Sequence, residues 1–402
     1  MKYNFDKEIR RRGTNSIKWE YILSDKGVFQ LKSTDRFFGK DRALPMWIAD
    51  MDFQSPKPVI EALTKRAQHG LYGYTKKGDA YFEAVVNWMQ KRHGWKIRRE
   101  WITTTPGVVT ALAMLVRTFV KPGEKVIVQP PVYGPFYLAA EFNGVEVVKN
   151  PLIYKNGRYE MDFDDLKRKA RDRKVKMLIL CSPHNPVGRV WTRKELTRLG
   201  EICIKNHILV VSDEIHGDLI LKGNKFTPFA RISKEFAHNS VICTAPSKTF
   251  NMAGLSTSNI IIPNKDLRAR FEMTLLNNAL LDASIFGGQA LETAYNHGEE
   301  WLDQVLSYLQ GNLDFLEDYI AKNIPQIKVV RPEGTYLVWL DCRGLGLDQA
   351  ARKHLMEDEA RVYLEQGEVF GPEGAGFERM NIACPRSIVE EALARVKRAV
   401  EK

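Results

Sequence analysis

The sequence predicts an α/β protein in which a large domain, built on a mainly parallel sheet flanked by helices, is joined to a smaller α+β domain. Three observations predict it. Between residues 125 and 263 the short apolar runs KVIVQ, VEVV, KMLILC, HILVVSD, SVICT and NIIIP alternate with longer amphipathic stretches. Runs with so little polar interruption fit strands covered on both faces, and parallel strands need helical crossovers. After residue 263 the pattern changes to long helices, near 264–280, 284–297 and 299–322, followed by the strand candidates KVV, YLVWLD and ARVYL and a last helix near 386–400. The length, 402 residues, exceeds the ~100–200 residues of one typical domain.

The helix ends are readable in order. Ser55 before Pro56 opens a helix that Gly70 closes, Asp79 opens one that Gly94 closes, and Thr192 with Glu195 forms a capping box. The expected division is an N-terminal arm with part of the small domain over 1–50, the large domain over 51–290 and the small domain over 291–402. Nothing reads as a flexible linker between them.

Composition narrows the class. Hydrophobic residues make up 44% and charged residues 27%, an ordinary globular balance. The net charge of +11 and the run KRKARDRKVK at 167–176 raise the question of nucleic acid. That run follows MDFDDL, so it reads as the exposed face of a helix with an acidic start, and no zinc-finger or RNA-binding signature accompanies it. The five scattered cysteines form no CxxC pair, which disfavours a disulfide framework and a metal site. The opening MKYNFDKEIRRRG has no apolar core, and no run approaches the ~18 apolar residues of a membrane span. The expectation is a cytoplasmic protein that binds neither nucleic acid, nor metal, nor membrane.

Ligands of open α/β sheets bind at the carboxyl ends of strands. KMLILC leads into SPHNPVG, HILVVS into DEIHGD and SVICT into APSKTF, which brings Asn185, Asp213 and Lys248 toward one edge. Singly, Asn185 suits a turn before Pro186, Asp213 a cap, and Lys248 a solvated surface. Together an amine, a carboxylate and an amide have a chemical use. A lysine amine forms a Schiff base with an aldehyde, and pyridoxal phosphate is the cofactor whose ring then serves as an electron sink. Asp213 suits the counter-charge for a protonated ring nitrogen, and Asn185 a donor to the phenolic oxygen. Gly107, Val108 and Val109 in TTTPGVVTALAML offer backbone N–H groups at a helix start for the phosphate. Tyr133 in PPVYGPF is placed to stack on the ring.

At this point the chain resembles the fold-type I pyridoxal phosphate enzymes of the class I/II aminotransferase superfamily, and more closely their cystathionine β-lyase (carbon-sulfur lyase) branch. The motifs GTNSIKW, LPMWIADMDF, LYGYTKKG, TPGVVTAL, PPVYGPF, SPHNPVGRVWT, SDEIHGDL, APSKTFNMAGL, FGPEGAGF and RMNIACPR carry the resemblance from residue 13 to 386. It implies that Lys248 binds the cofactor aldehyde and shuttles the Cα proton, and that Asp213, Asn185 and Tyr133 hold the ring. His216 stands where many aminotransferases carry a tyrosine and tunes either Asp213 or the phenolic oxygen. Arg379 resembles the bidentate clamp for the substrate α-carboxylate, a task for guanidinium, assisted by Asn185 and by the backbone N–H of Ala49. Tyr74 resembles the tyrosine that reaches the cofactor phosphate of the neighbouring subunit, which implies a homodimer. Two positions depart from the wider pattern: Ala245 replaces a phosphate-binding serine, and Ser256 an arginine. The hydroxyls of Ser247 and Thr244 are the nearby substitutes.

The resemblance implies β-elimination from L-cystathionine or related S-substituted L-cysteines, giving thiol, pyruvate and ammonia. An aminotransferase passing the amino group of an L-amino acid to a 2-oxo acid is the alternative, because it uses the same lysine, aspartate and arginine. A binding protein that keeps the scaffold without its chemistry is a third reading, and the completeness of the constellation speaks against it.

Overall fold

The computed structural model describes residues 1–23, 29–31, 42–280 and 284–402. Its larger sheet has seven strands: β1 (Ile102–Thr105), β2 (Lys125–Val128), β3 (Glu146–Lys149), β4 (Val175–Cys181), β5 (Leu209–Asp213), β6 (Ser240–Thr244) and β7 (Ser258–Ile261). The spatial order is β1-β7-β6-β5-β4-β2-β3. The strands from β6 across to β3 pair in parallel, whereas β7 runs antiparallel to both β6 and β1. The sheet is therefore mainly parallel, as expected, with one reversed strand. β1, with sequence ITTT, has no apolar run to announce it because it sits at the sheet edge, where threonine serves as well as valine.

Side chains alternate across a strand, so a sheet covered twice must be apolar at every position. Along β4, Leu178 and Leu180 enter one core while Met177, Ile179 and Cys181 enter the other; β5 divides Val210 from Leu209 and Val211 in the same way. Each fully buried side chain of this kind stabilises the fold by ~1.5–3 kcal/mol.

The helices that cover the faces are α1 (Lys57–Gln68), α2 (Asp79–His93), α3 (Val108–Phe119), α4 (Pro135–Glu141), α5 (Phe163–Ala170), α6 (Arg193–Lys205), α7 (Lys265–Asn277) and α8 (Ile285–His297). α3 buries Val108, Ala111, Leu112, Leu115 and Val116, a stripe at helical spacing. The capping box of Thr192 and Glu195 opens α6, and Gly94, at φ 59°, ends α2 in the left-handed conformation. Asp79 opens α2 as its first residue, a position where the helix dipole favours an acid. One helix start differs from expectation. Ser55 stands outside α1 and donates instead to the carbonyl of Asn251 at 3.3 Å. Only the first four residues of the basic run, 167–170, belong to α5, whose N-cap Asp162 accepts from the N–H groups of Asp164 and Asp165; the rest lies in the turn that follows and at the start of β4.

α9 (Glu299–Asn323) leads to a four-stranded antiparallel sheet of β8 (Lys328–Val330), β9 (Leu337–Asp341), β10 (Glu365–Gln366) and β11 (Phe377–Asn381), in the order β8-β9-β11-β10. α10 (Arg386–Val400) closes the chain. The run ARVYL does form a strand, but Val362–Tyr363 pairs in parallel with Leu44–Pro45 rather than joining this sheet. The stretch that follows Pro45 is thereby laid between the two sheets. Among the described residues no helix is long and apolar enough to cross a membrane, and no cluster of His, Cys, Asp or Glu could hold a metal ion. All five cysteines are buried and free.

Candidate active site

Three neighbouring parallel strands end together: Cys181 of β4 and Cys243 of β6 flank Asp213 of β5 in register. The loops beyond these ends supply Asn185 and Lys248. Lys248 lies on a single helical turn, Pro246–Thr249, that starts directly after β6; proline at its first position presets the backbone angle. A cavity of about 180 Å³ opens there, lined by Lys248, Asp213, Asn185, Tyr133, His216 and Ser247. Ala49 and the start of α3, Gly107 to Val109, complete its wall. The sequence-predicted residues thus converge on one cavity, apart from Arg379 at its border, Thr244 and Tyr74.

Loss of solvent sets the electrostatics. Burial pushes the Asp213 carboxyl up to about 7, against the opposing pull of the Ile215 N–H and the Lys248 charge. Burial also draws Lys248 down to about 8, and the Lys248 Nζ donates to the carbonyl oxygen of Ala49 at 2.7 Å. His216 is held near 3 by burial and by the charges of Lys248 and Arg379, so its ring is neutral at ordinary pH. Its Nδ1 is buried without a hydrogen-bond partner. The Tyr133 phenol is pushed up to about 12, again chiefly by burial.

Arg379 comes from β11 of the smaller sheet. One guanidinium reaches three separate segments: Nη1 donates to Asn185 Oδ1 at 3.1 Å, and Nη2 to the carbonyl of Trp47 at 2.7 Å and to Glu365 Oε2 at 3.3 Å. Its Nε is buried without a partner. The 47–52 segment is held by several fixed contacts. The side chain of Asn381 donates to the carbonyls of Ile48 and Asp50, each at 2.6 Å, and Asn251 bonds both the N–H and the carbonyl of Met51. Arg11 pairs with Asp50 and Asp52, and Lys18, only 1% exposed, pairs with Asp52 at 2.7 Å. These contacts fix Ala49, whose carbonyl accepts from the Tyr336 hydroxyl at 2.9 Å as well as from Lys248.

At the other end of the cavity Gly107 has φ +101°, a conformation that favours glycine and that turns the chain into α3. Ser256 and Thr257 line this end. Thr244, outside the lining, keeps a buried hydroxyl without a partner.

Tyr74 is fully exposed and lies within the exposed stretch that runs from His69 to Lys76. Four contributors escaped the sequence reading: Tyr336, Asn251, Thr257 and Glu365. Asn251 and Thr257 follow Lys248 closely, and their nearness to it was the available signal. Tyr336 opens the run YLVWLD and Glu365 follows ARVYL, where nothing local distinguishes them from ordinary strand residues.

The profile of the family described as aminotransferase class I and II matches residues 46–396. The chain is 46% identical to cystathionine beta-lyase PatB of Bacillus subtilis (strain 168), over 99% of this chain and 100% of that one. Among solved structures it superposes on cystalysin from Treponema denticola, which contains a pyridoxal 5'-phosphate cofactor, with a TM-score of 0.94 and 38% identity over 100% and 99% of the two chains. It likewise matches the PLP-bound C-S lyase from Staphylococcus hominis, with a TM-score of 0.90 and 34% identity over 100% and 99%. With the profile spanning both sheets and every strand end that lines the cavity, the chain belongs to the class I and II aminotransferase family, in its carbon-sulfur lyase branch.

Proposed function

We propose that the protein is a pyridoxal 5'-phosphate-dependent carbon-sulfur β-lyase that converts L-cystathionine or a related S-substituted L-cysteine to thiol, pyruvate and ammonia. The observation that carries the reading is the convergence of Lys248, Asp213 and Asn185 on one cavity bordered by Arg379. The residues fit the cofactor. A buried carboxyl lifted to about 7 is a group awaiting a cation, and a protonated pyridine nitrogen provides one. The N-terminus of α3 and the Ser247 and Thr257 side chains that line the cavity suit a phosphate.

Pyridoxal phosphate, when bound, supplies an aldehyde for an amine and a ring that accepts the electron pair left at Cα. The remaining work belongs to the chain. Arg379 grips the α-carboxylate, supported by Asn185 and the N–H of Ala49, and so fixes which bond at Cα faces the lysine. Lys248, whose amine is drawn toward neutrality by burial, takes the Cα proton as the general base. The thiol then leaves from Cβ. Asp213 keeps the ring nitrogen protonated, Asn185 and His216 address the phenolic oxygen, and Tyr133 stacks on the ring. Gly107, Val108, Val109 and Ser247 hold the phosphate. Tyr74, fully exposed, reaches the phosphate of a second copy in a homodimer. The division of labour follows the two sheets, with residues 51–290 holding the cofactor and 1–50 with 291–402 closing over the substrate.

The test is to incubate cofactor-loaded protein with L-cystathionine and no 2-oxo acid. Repeated, stoichiometric formation of pyruvate and free thiol is expected. Turnover that starts only when 2-oxoglutarate is added would replace this reading with amino transfer.

A further inference from the structure

Arg379 is more heavily committed than a free carboxylate receptor. Glu365 of β10 is its directly opposite cross-strand neighbour, so the two side chains share a face of the small sheet. Both N–H bonds of Nη2 are engaged, one by the carbonyl of Trp47 and one by Glu365 Oε2. A bidentate grip on a carboxylate uses two parallel N–H groups, and either fork of a guanidinium, Nε with Nη2 or Nη1 with Nη2, includes Nη2. An arriving carboxylate must therefore displace one of these partners. The Trp47 carbonyl is fixed backbone at 2.7 Å, whereas Glu365 is a side chain at 3.3 Å. Two ionised carboxylates beside one buried guanidinium repel each other, and such a pair relieves the repulsion by holding one proton.

We infer that Glu365 makes substrate binding proton-coupled: the α-carboxylate takes the Nη2 donor from Glu365, which picks up one proton from solvent. The inference rests on Arg379 being the α-carboxylate clamp. It makes Glu365 a positioning residue that holds the guanidinium in register while the site is empty and yields as a neutral acid when it fills. Burial already holds the Glu365 carboxyl above the usual range in spite of Arg379. The titratable groups facing it are Arg379 and the Tyr133 phenol. The nearby Glu368 and Glu378 are paired with Arg352 in a cluster of their own.

The test uses cofactor-loaded protein and 3-(methylthio)propanoate, the substrate skeleton without its amine, titrated calorimetrically in buffers of different ionisation heat. Wild type should take up protons on binding, and its Kd should rise ~10-fold per pH unit on the alkaline side. Glu365→Gln should bind without proton uptake and with a flat pH profile over the same span. Glu365→Ala repeats the comparison should the amide variant fold poorly. Proton uptake that persists in these variants, or is absent from wild type, overturns the inference. Arg379→Ala separates the two claims, because undiminished binding there would remove the clamp itself.

Discussion

Lys248 Nζ and the carbonyl oxygen of Ala49 form a 2.7 Å hydrogen bond between segments that lie 199 residues apart. That contact ties together two stretches that line the cavity. A lysine that acts as a base must work from this position, so replacing it removes chemistry and leaves the fold. Lys248→Ala should lower turnover of L-cystathionine by ~10²–10⁴-fold, the span of a positioned general base, with an unchanged circular dichroism spectrum.

The amine also loads the cofactor-free fold. Its folded pKa of about 8 lies below the ordinary lysine value of 10.5, so the unfolded chain binds the proton more tightly. The resulting destabilisation is fully present below about pH 8 and fades as pH rises toward about 10.5. Cofactor-free Lys248→Met should therefore melt above wild type at neutral pH, and the gap should close in alkali.

Asp213 gives the mirror image. Its carboxyl is raised from 3.8 to about 7, so the cofactor-free fold loses stability as pH climbs through that window, by up to ~4 kcal/mol at ~1.4 kcal/mol per unit. Cofactor-free Asp213→Asn should melt above wild type near pH 8 and level with it near about pH 4. With pyridoxal phosphate bound the order should reverse, since the carboxylate then has its cation. Thermal denaturation of both proteins, with and without cofactor, measures both effects.

How much of this was legible in the sequence depends on where each residue draws its meaning. Asn185, Asp213 and Lys248 follow directly from apolar runs that can only be buried strands, so their place at one edge was readable from spacing. Arg379 sits in FERMN, where nothing local marks it, and only the family likeness singled it out. Glu365 and Tyr336 gain their roles from contacts 14 and 287 residues away, which no local pattern encodes. β1 was missed because threonines at a sheet edge do not look like a core strand.

The anchoring of the 47–52 segment is equally testable. Burial raises the Asp52 carboxyl, but Lys18 and Arg11 together hold it below its ordinary value. Its contribution is present above about pH 3.8 and is lost as pH falls through the folded value. Asp52→Asn leaves the buried Lys18 charge with only the Asp50 carboxylate, 3.8 Å away, and should destabilise by ~3 kcal/mol, the lower end for breaking a buried pair, read as a lower midpoint in urea. Turnover should fall with it, because Ala49 loses its anchor.

The exposed Tyr74 predicts shared sites. Tyr74→Ala and Lys248→Ala proteins should each be weak alone, yet after mixed unfolding and refolding they should regain ~25% of wild-type activity. Half of the random dimers are hybrids, and each hybrid carries one intact site of two. No recovery would mean that Tyr74 serves its own chain or none.

The Arg379 guanidinium joins Trp47, 332 residues earlier, to Asn185 and Glu365. During synthesis Lys248 and Asp213 emerge long before β11, so the strand ends that line the cavity are made while the Arg379 contacts do not yet exist. Every one of these partners precedes Arg379 in the chain, so the three segments are tied together only when β11 pairs.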